Sequence, residues 1–229
     1  LKAQKSVEAA NIEHFPVPTV EGHGASLVIG SLPSGDEVCV MTGRVHLYEG
    51  HTPQTVVFPI RVLSTLGVQR VLLTNAAGSV DPKMRPGTVV LVQDQITLTS
   101  QNCLIGPEAI ELGPIFLDMT SCFDKKWQQG IARLSRTVPG IYAGCLGPTY
   151  ETPAETAMLR GLGANVVGMS TVQEVIAAHH LKMRVACLSF VTNMTGGLGE
   201  ELQHADVVRL VDENKPRLYT LLAEVLTIP

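Results

Sequence analysis

Short apolar runs rich in valine, isoleucine and leucine recur along the chain at 26–29, 37–42, 70–74, 88–92, 141–145, 165–168 and 184–191. Their length and β-branched content predict strands. Most lack the strict alternation of a half-solvated strand, so cover by helices on both faces is expected. Segments with helix start signals lie between them. Thr52-Pro53 opens one. Thr152-Pro153-Ala154-Glu155 has the capping-box form with proline at the first helical position, and Gly163 ends that helix. Ala154, Ala157, Met158 and Leu162 recur there at helical spacing and are expected to form the buried face. Thr171-Val172-Gln173-Glu174 repeats the capping form. Val172, Val175, Ile176 and His179 share one face of the helix that follows, and His179 and His180 fall at its C-terminal end, where donors and cations are favoured. A last amphipathic stretch, 205–226, contains Pro216, which should kink or split it. Alternating strands and helices, without a repeat or a linker, predict an α/β fold: a three-layer αβα sandwich formed as one domain over 1–229, with ligands at the carboxyl ends of its strands.

Composition narrows the function classes. The 229 residues, 45% of them hydrophobic, suffice for a sizeable core. No apolar run reaches the roughly 18 residues of a membrane span, and no signal peptide pattern opens the chain, so a cytoplasmic protein is expected. With Lys and Arg at 17 against 21 Asp and Glu, and aromatics at 4%, there is no basic stripe for nucleic acid. An anionic ligand must be met by a few placed cations. Cys39, Cys103, Cys122, Cys145 and Cys187 are widely spaced and mostly set in apolar strings, which predicts reduced thiols. No C-x-x-C or H-E-x-x-H spacing occurs, so a zinc site is not expected.

Chemistry-bearing side chains stand where the predicted strands stop. Arg44, His46, Tyr48 and Glu49 follow one; Asn75, Ala76, Ala77 and Gly78 follow the next. Tyr150 and Glu151, then Met169 and Ser170, then Thr192 and Asn193 follow three others. Each residue alone has a bland reading. Arg44 beside Glu49 fits an exposed ion pair worth about 0–1 kcal/mol. Asn193 fits a turn, Glu151 fits a helix N-terminus, His204 a cap or surface position, Phe116 a core or interface aromatic, and Trp127 packing. Their joint arrival at strand ends favours a site.

The strings G-R-V-H-L-Y-E-G at 43–50, L-T-N-A-A-G at 73–78, G-P-T-Y-E-T-P-A-E at 147–155, V-G-M-S-T-V-Q-E at 167–174 and V-T-N at 191–193 resemble the trimeric purine nucleoside phosphorylases, in the family's order. The likeness covers the chain from about Phe15 to its end. It implies the nucleoside phosphorylase fold with a mixed central β-sheet. It also implies reversible phosphorolysis in purine salvage: phosphate, a co-substrate, displaces the purine of a nucleoside and leaves ribose 1-phosphate.

By family position Arg44, His46, His23, Ser170 and the Ala76 amide would hold phosphate, matching the need for a forked cation and several donors. The dipole of the helix after Ser170 would add to them. Tyr48, Met169 and His204 would hold the ribose. Phe116 would be lent to a neighbouring subunit's ribose pocket in a homotrimer. Tyr150 would stack on the base, with Glu151, Thr192 and Asn193 at its edge. Catalysis would rest on Asn193, Glu151 and His46, which favour the charge that builds on the departing base and the phosphate that attacks below it. Asparagine at 193 both donates and accepts, which suits the O6 and N7 of inosine and guanosine; an aspartate there would suit a 6-amino purine. The alternatives are a methylthioadenosine phosphorylase and a catalytically impaired nucleoside-binding homologue.

Two departures stand out. Gln95 occupies a position where the family often has histidine, and a local change in hydrogen bonding behind the site is expected. The family's G-S-G-L-G turn, whose serine and amides cradle phosphate, is not found. The chain starts on Leu1, and the expectation is one trimmed of an N-terminal segment. Losing even one preorganised donor costs about 2.7–4 kcal/mol at a transition state, so these residues alone are expected to form a poor catalyst.

Overall fold

The computed structural model describes residues 2–19, 26–198 and 204–229, without the side chain of residue 204. His23 and the His204 side chain therefore lie outside the described residues.

An antiparallel sheet of β1 (Lys2–Glu8), β2 (Ser26–Ser31) and β3 (Glu37–Met41) flanks a larger, mixed sheet. The latter contains β4 (Arg70–Ser79), β5 (Val89–Thr97), β6 (Val138–Gly144), β7 (Val166–Gly168) and β8 (Arg184–Met194). β4 runs parallel to β8, and β6 parallel to both β5 and β7, while β5 meets β8 antiparallel. A short antiparallel ladder of Gly78 and Ser79 with β7 joins the two ends, so these strands close on themselves.

Helices cover both sides, as the apolar runs require. In β8, Val185, Cys187 and Val191 face a core shared with α1 (Pro53–Thr65) and α5 (Val172–His180). Their neighbours Ala186, Leu188 and Phe190 face a second core with α3 (Lys125–Ala132) and α6 (His204–Leu226), built on Trp127, Ile131, Leu221 and Val225. Each fully buried aliphatic side chain is worth about 1.5–3 kcal/mol, so a strand buried on both faces is held chiefly by this packing. Two shorter helices are α2 (Pro107–Leu112) and α4 (Pro153–Gly161). No helix among the described residues is long and apolar enough to cross a membrane.

Four features depart from the expectations. β1 was not foreseen because it is polar and almost wholly exposed, and its pairing with β2 alone makes it a strand. β4, β5 and β8 continue past their apolar runs, so Asn75 to Gly78, Thr192 and Asn193 lie inside strands; the β4–β8 ladder carries on to Ser79 and Met194 through a bulge. The buried face of α4 is Thr156 and Leu159, while Ala154, Ala157, Met158 and Leu162 are exposed. This helix meets only a small cluster of Val80, Ala143, Ala164 and Val167, which leaves its wider apolar stripe outside. α6 is not split at Pro216, because its apolar face, Leu218, Leu221, Leu222 and Val225, packs on the second core beyond the proline.

β3 pairs only with β2 among the described residues, and β3 and β4 share no ladder. A cavity of about 1420 Å³ runs between them, from the strand ends down to Trp127 and Tyr219. Its volume is larger than a nucleoside needs; the polar end is the part that concerns chemistry.

Candidate active site

At that end the cavity is lined by Arg44, His46, Tyr48, Ala76, Tyr150, Glu151, Met169, Ser170, Thr192 and Asn193. These residues are spread over 150 positions of sequence, and the strand ends bring them to one mouth.

Arg44 follows β3 and reaches across to β4 and α5. Its Nη1 donates to the Thr74 carbonyl at 2.8 Å and to Ser170 Oγ at 3.3 Å. Nε stands 3.4 Å from Glu174 Oε1. The ion-pair partner is thus Glu174 and not the neighbouring Glu49. Glu49 turns instead to His46: one carboxylate oxygen accepts from the His46 amide at 2.7 Å and lies 2.9 Å from Nδ1. The other accepts from the Thr19 amide and hydroxyl at 2.8 and 2.7 Å. Since an ionised carboxylate cannot donate, Nδ1 carries the proton, which fixes the ring's tautomer. The ring also stacks on Tyr48, with centroids 4.7 Å apart.

Burial pushes the Glu49 carboxyl upward, but the hydrogen bonds from Thr19 and His46 outweigh it and hold it at about 2. Such a depressed carboxylate stabilises the fold above its unfolded value, about 4.3, and that contribution is lost as pH falls toward 2. Glu49→Gln is therefore expected to lower unfolding free energy by on the order of 2 kcal/mol at neutral pH. Denaturant titrations should show the gap between the two proteins closing as pH drops from about 5 to about 2. A gap that does not change over that range would contradict the assignment.

Ser170 sits in an unusual turn. Thr171 has φ 73° and ψ −48°, and the Val172 amide donates to the Ser170 carbonyl at 2.8 Å. That is a γ-turn of the rare, strained hand. For a β-branched residue it costs on the order of 1–3 kcal/mol and persists only where its surroundings enforce it. Here they do. The Thr171 amide donates to Glu174 Oε2 at 3.1 Å, and Asn75 Nδ2 donates to the Thr171 hydroxyl at 2.9 Å. The buried Tyr142 hydroxyl donates to the Ser170 carbonyl and accepts from its amide, both at 3.3 Å. Gly168 makes room for it, since a Cβ there would overlap the Tyr142 oxygen.

The same cavity carries Glu151, Asn193 and Tyr150. Burial pushes the Glu151 carboxyl up; its own backbone amide pulls it partly back, and the Glu155 carboxylate pushes it further up. Asn193 Oδ1 accepts from Thr192 Oγ1 at 2.9 Å, and Nδ2 donates weakly to the Met194 carbonyl at 3.4 Å. A Cβ on Gly78 would stand only 3.1 Å from that Nδ2, so glycine there gives the amide its space. Tyr48 is also raised, by burial first and then by the charges of Glu49 and Tyr150. Met169 leans against Gly147, whose missing side chain admits its sulfur.

His23 and the His204 side chain lie outside the described residues, and Phe116, expected to serve a neighbouring subunit, is 94% exposed and does not line this cavity. Gln95 lies behind the site, where its Nε2 donates to the Val172 carbonyl at 3.3 Å and its Oε1 is buried without a partner. Glu174, Asn75 and Tyr142 were not read as site residues. Only the capping pattern hinted at Glu174; Asn75 was marked as a polar residue at a strand end but given no role, and nothing local marked Tyr142.

The arrangement places one forked cation, a hydroxyl and an imidazole in the same cavity as a carboxyl, a carboxamide and a phenol. It suits an anion beside a flat polar ring. Residues 1–227 match the phosphorylase superfamily. The chain is 40% identical over 222 residues to purine nucleoside phosphorylase 1 of Bacillus subtilis, covering 94% of this chain and 82% of that protein. It superposes with a TM-score of 0.91 on the Schistosoma mansoni purine nucleoside phosphorylase in complex with inosine, at 32% identity over 98% of this chain and 84% of that one. An isoform 2 enzyme of the same organism, in complex with cytosine and ribose-1-phosphate, gives 0.89 at 37% identity, covering 97% and 82%.

Proposed function

Since the chain belongs to the phosphorylase superfamily, among its purine nucleoside phosphorylases, we propose that it cleaves 6-oxopurine nucleosides, inosine and guanosine, with phosphate. The products are the free base and ribose 1-phosphate. The observation that carries this reading is the pairing, in one cavity, of Arg44 and Ser170 with Glu151 and Asn193.

Phosphate lies against Arg44, Ser170, His46 and the Ala76 amide, at the start of α5. The α5 dipole and the charge-assisted bonds favour the dianion there. The base lies between Tyr150 and Glu151, with Asn193 donating to N7 or accepting from the proton there as charge builds on the leaving ring. Glu151, once ionised, accepts from N1–H; the burial that raises its pKa also strengthens that bond. Tyr48 and Met169 cover the sugar. Thr192 orients the Asn193 amide through the hydrogen bond to its Oδ1. His23 and His204 keep their expected places at phosphate and at the 5′-hydroxyl by family position alone. No metal or organic cofactor enters this scheme.

Phe116, with the exposed Ile105, Ile110, Leu112 and Ile115 close to it in sequence, supports a homo-oligomer in which this segment covers a neighbour's sugar.

The test is release of base from inosine and from methylthioadenosine, each with and without phosphate. Inosine cleavage that rises with phosphate and exceeds methylthioadenosine cleavage in kcat/KM is the expected result. A preference for methylthioadenosine would overturn the 6-oxopurine reading while leaving phosphorolysis intact.

A further inference from the structure

We propose that Glu174 is a positioning residue for phosphate: its buried carboxylate orients the Arg44 guanidinium and holds the strained turn at Ser170 and Thr171 beside it. This rests on the phosphorolysis reading above. The Glu174 side chain is 4% exposed, and Arg44, at 20%, is the cation it faces. Its oxygens divide between two structural elements. Oε1 stands 3.4 Å from Arg44 Nε, in the segment after β3, and Oε2 accepts from the Thr171 amide at 3.1 Å, at the head of α5. Arg44 Nη1 then binds Thr74 and Ser170, so two of the three guanidinium nitrogens face protein groups among the described residues, and Nη2 is the one offered to an anion in the cavity.

An arginine held in this way loses little rotamer freedom when phosphate arrives, and Ser170 Oγ is placed by the same carboxylate. Position 174 is well suited because α5 is buried along nearly all its length and is anchored against α1, so the carboxylate cannot swing away. A residue serving only as a helix cap would need the Thr171 bond and no charge; the Arg44 contact requires the charge.

Glu174→Gln keeps an acceptor for the Thr171 amide and removes the charge. It is expected to raise KM for phosphate about tenfold, the loss of roughly one charge-assisted bond, with KM for inosine changed less than about twofold. Calorimetric titration with inorganic phosphate should show the same weakening. The effect should disappear in an Arg44→Met background, because the two residues act on phosphate as a unit; a cap acting on folding alone would keep its effect there. Equal rises in both KM values, or an unchanged phosphate KM, would overturn the inference. A wild-type protein that cleaves inosine without regard to phosphate would sink the functional reading instead, and this inference with it. Should the glutamine variant fail to fold, nuclear magnetic resonance on the wild type decides: a slowly exchanging Arg44 Nε–H, assigned through its loss in Arg44→Lys, is expected, and a freely exchanging one would contradict the pairing.

Discussion

Arg44→Ala lowers kcat/KM for phosphate about 10²–10³-fold, the range for removing one preorganised donor to a developing or transferred anion. Among the described residues that line the cavity, Arg44 is the one guanidinium at the strand-end mouth, while Arg70 lies at the other end, over Trp127. The nucleoside terms should move much less, because in the proposed reading Tyr150, Glu151 and Asn193 hold the base and Arg44 does not. The substitution also strands Glu174, a carboxylate almost out of contact with water, and breaking a buried pair in this way costs about 3–5 kcal/mol. A lower melting temperature is therefore expected together with the kinetic loss. Arg44→Lys separates the two effects. It keeps the positive charge near Glu174 but lacks the fork that reaches Thr74, Ser170 and phosphate together. Its stability should return most of the way while kcat/KM for phosphate stays low. Full kinetic rescue by lysine would show that charge alone is read at this position.

Asn193→Asp should raise the ratio of kcat/KM for adenosine over inosine by about 10²-fold, since a buried site that loses a donor facing O6 or gains an acceptor facing an amino group changes by roughly 1–3 kcal/mol per bond. The amide is held from two directions, by Thr192 Oγ1 and by the Met194 carbonyl, and Gly78 leaves it room. Aspartate is close to isosteric, so the swap tests chemistry more than packing. Steady-state kinetics with both nucleosides at saturating phosphate give the ratio. An unchanged ratio would place the reading of the 6-position on Glu151 or elsewhere.

Much of the fold was legible because strands buried on both faces have to be written in valine, isoleucine and leucine. The run at 184–191 is the plainest case, with alternate residues serving opposite cores. The places where legibility ended have physical causes. β1 carries no apolar code, since it is held by ladder hydrogen bonds to β2 that any side chain permits. α4 carries an apolar stripe, but periodicity cannot say which side of a helix meets protein, and the stripe faces outward. The proline in α6 is a real local defect that packing of the residues around it overrides.

The site divides in the same manner. Arg44, His46, Glu151, Ser170 and Asn193 could be picked out because each is polar where an apolar run gives way, and the structure gathers them at one cavity. The pairing of Arg44 with Glu174 could not be read, since the nearer carboxylate, Glu49, looked like the obvious partner. Only the three-dimensional closure shows Glu49 committed to Thr19 and His46. The strained turn at Thr171 was also hidden: threonine before a capping glutamate reads as an ordinary N-cap, and a positive φ at a β-branched residue leaves no trace in sequence.

Phosphorus nuclear magnetic resonance on the protein with inosine shows whether phosphate itself attacks the sugar. The inorganic phosphate signal is expected to decline in step with the appearance of a sugar 1-phosphate and of hypoxanthine, however slow the turnover, and to recover when hypoxanthine and ribose 1-phosphate are supplied instead. Hypoxanthine released together with free ribose, at a rate indifferent to phosphate and with the phosphate signal undiminished, would contradict it.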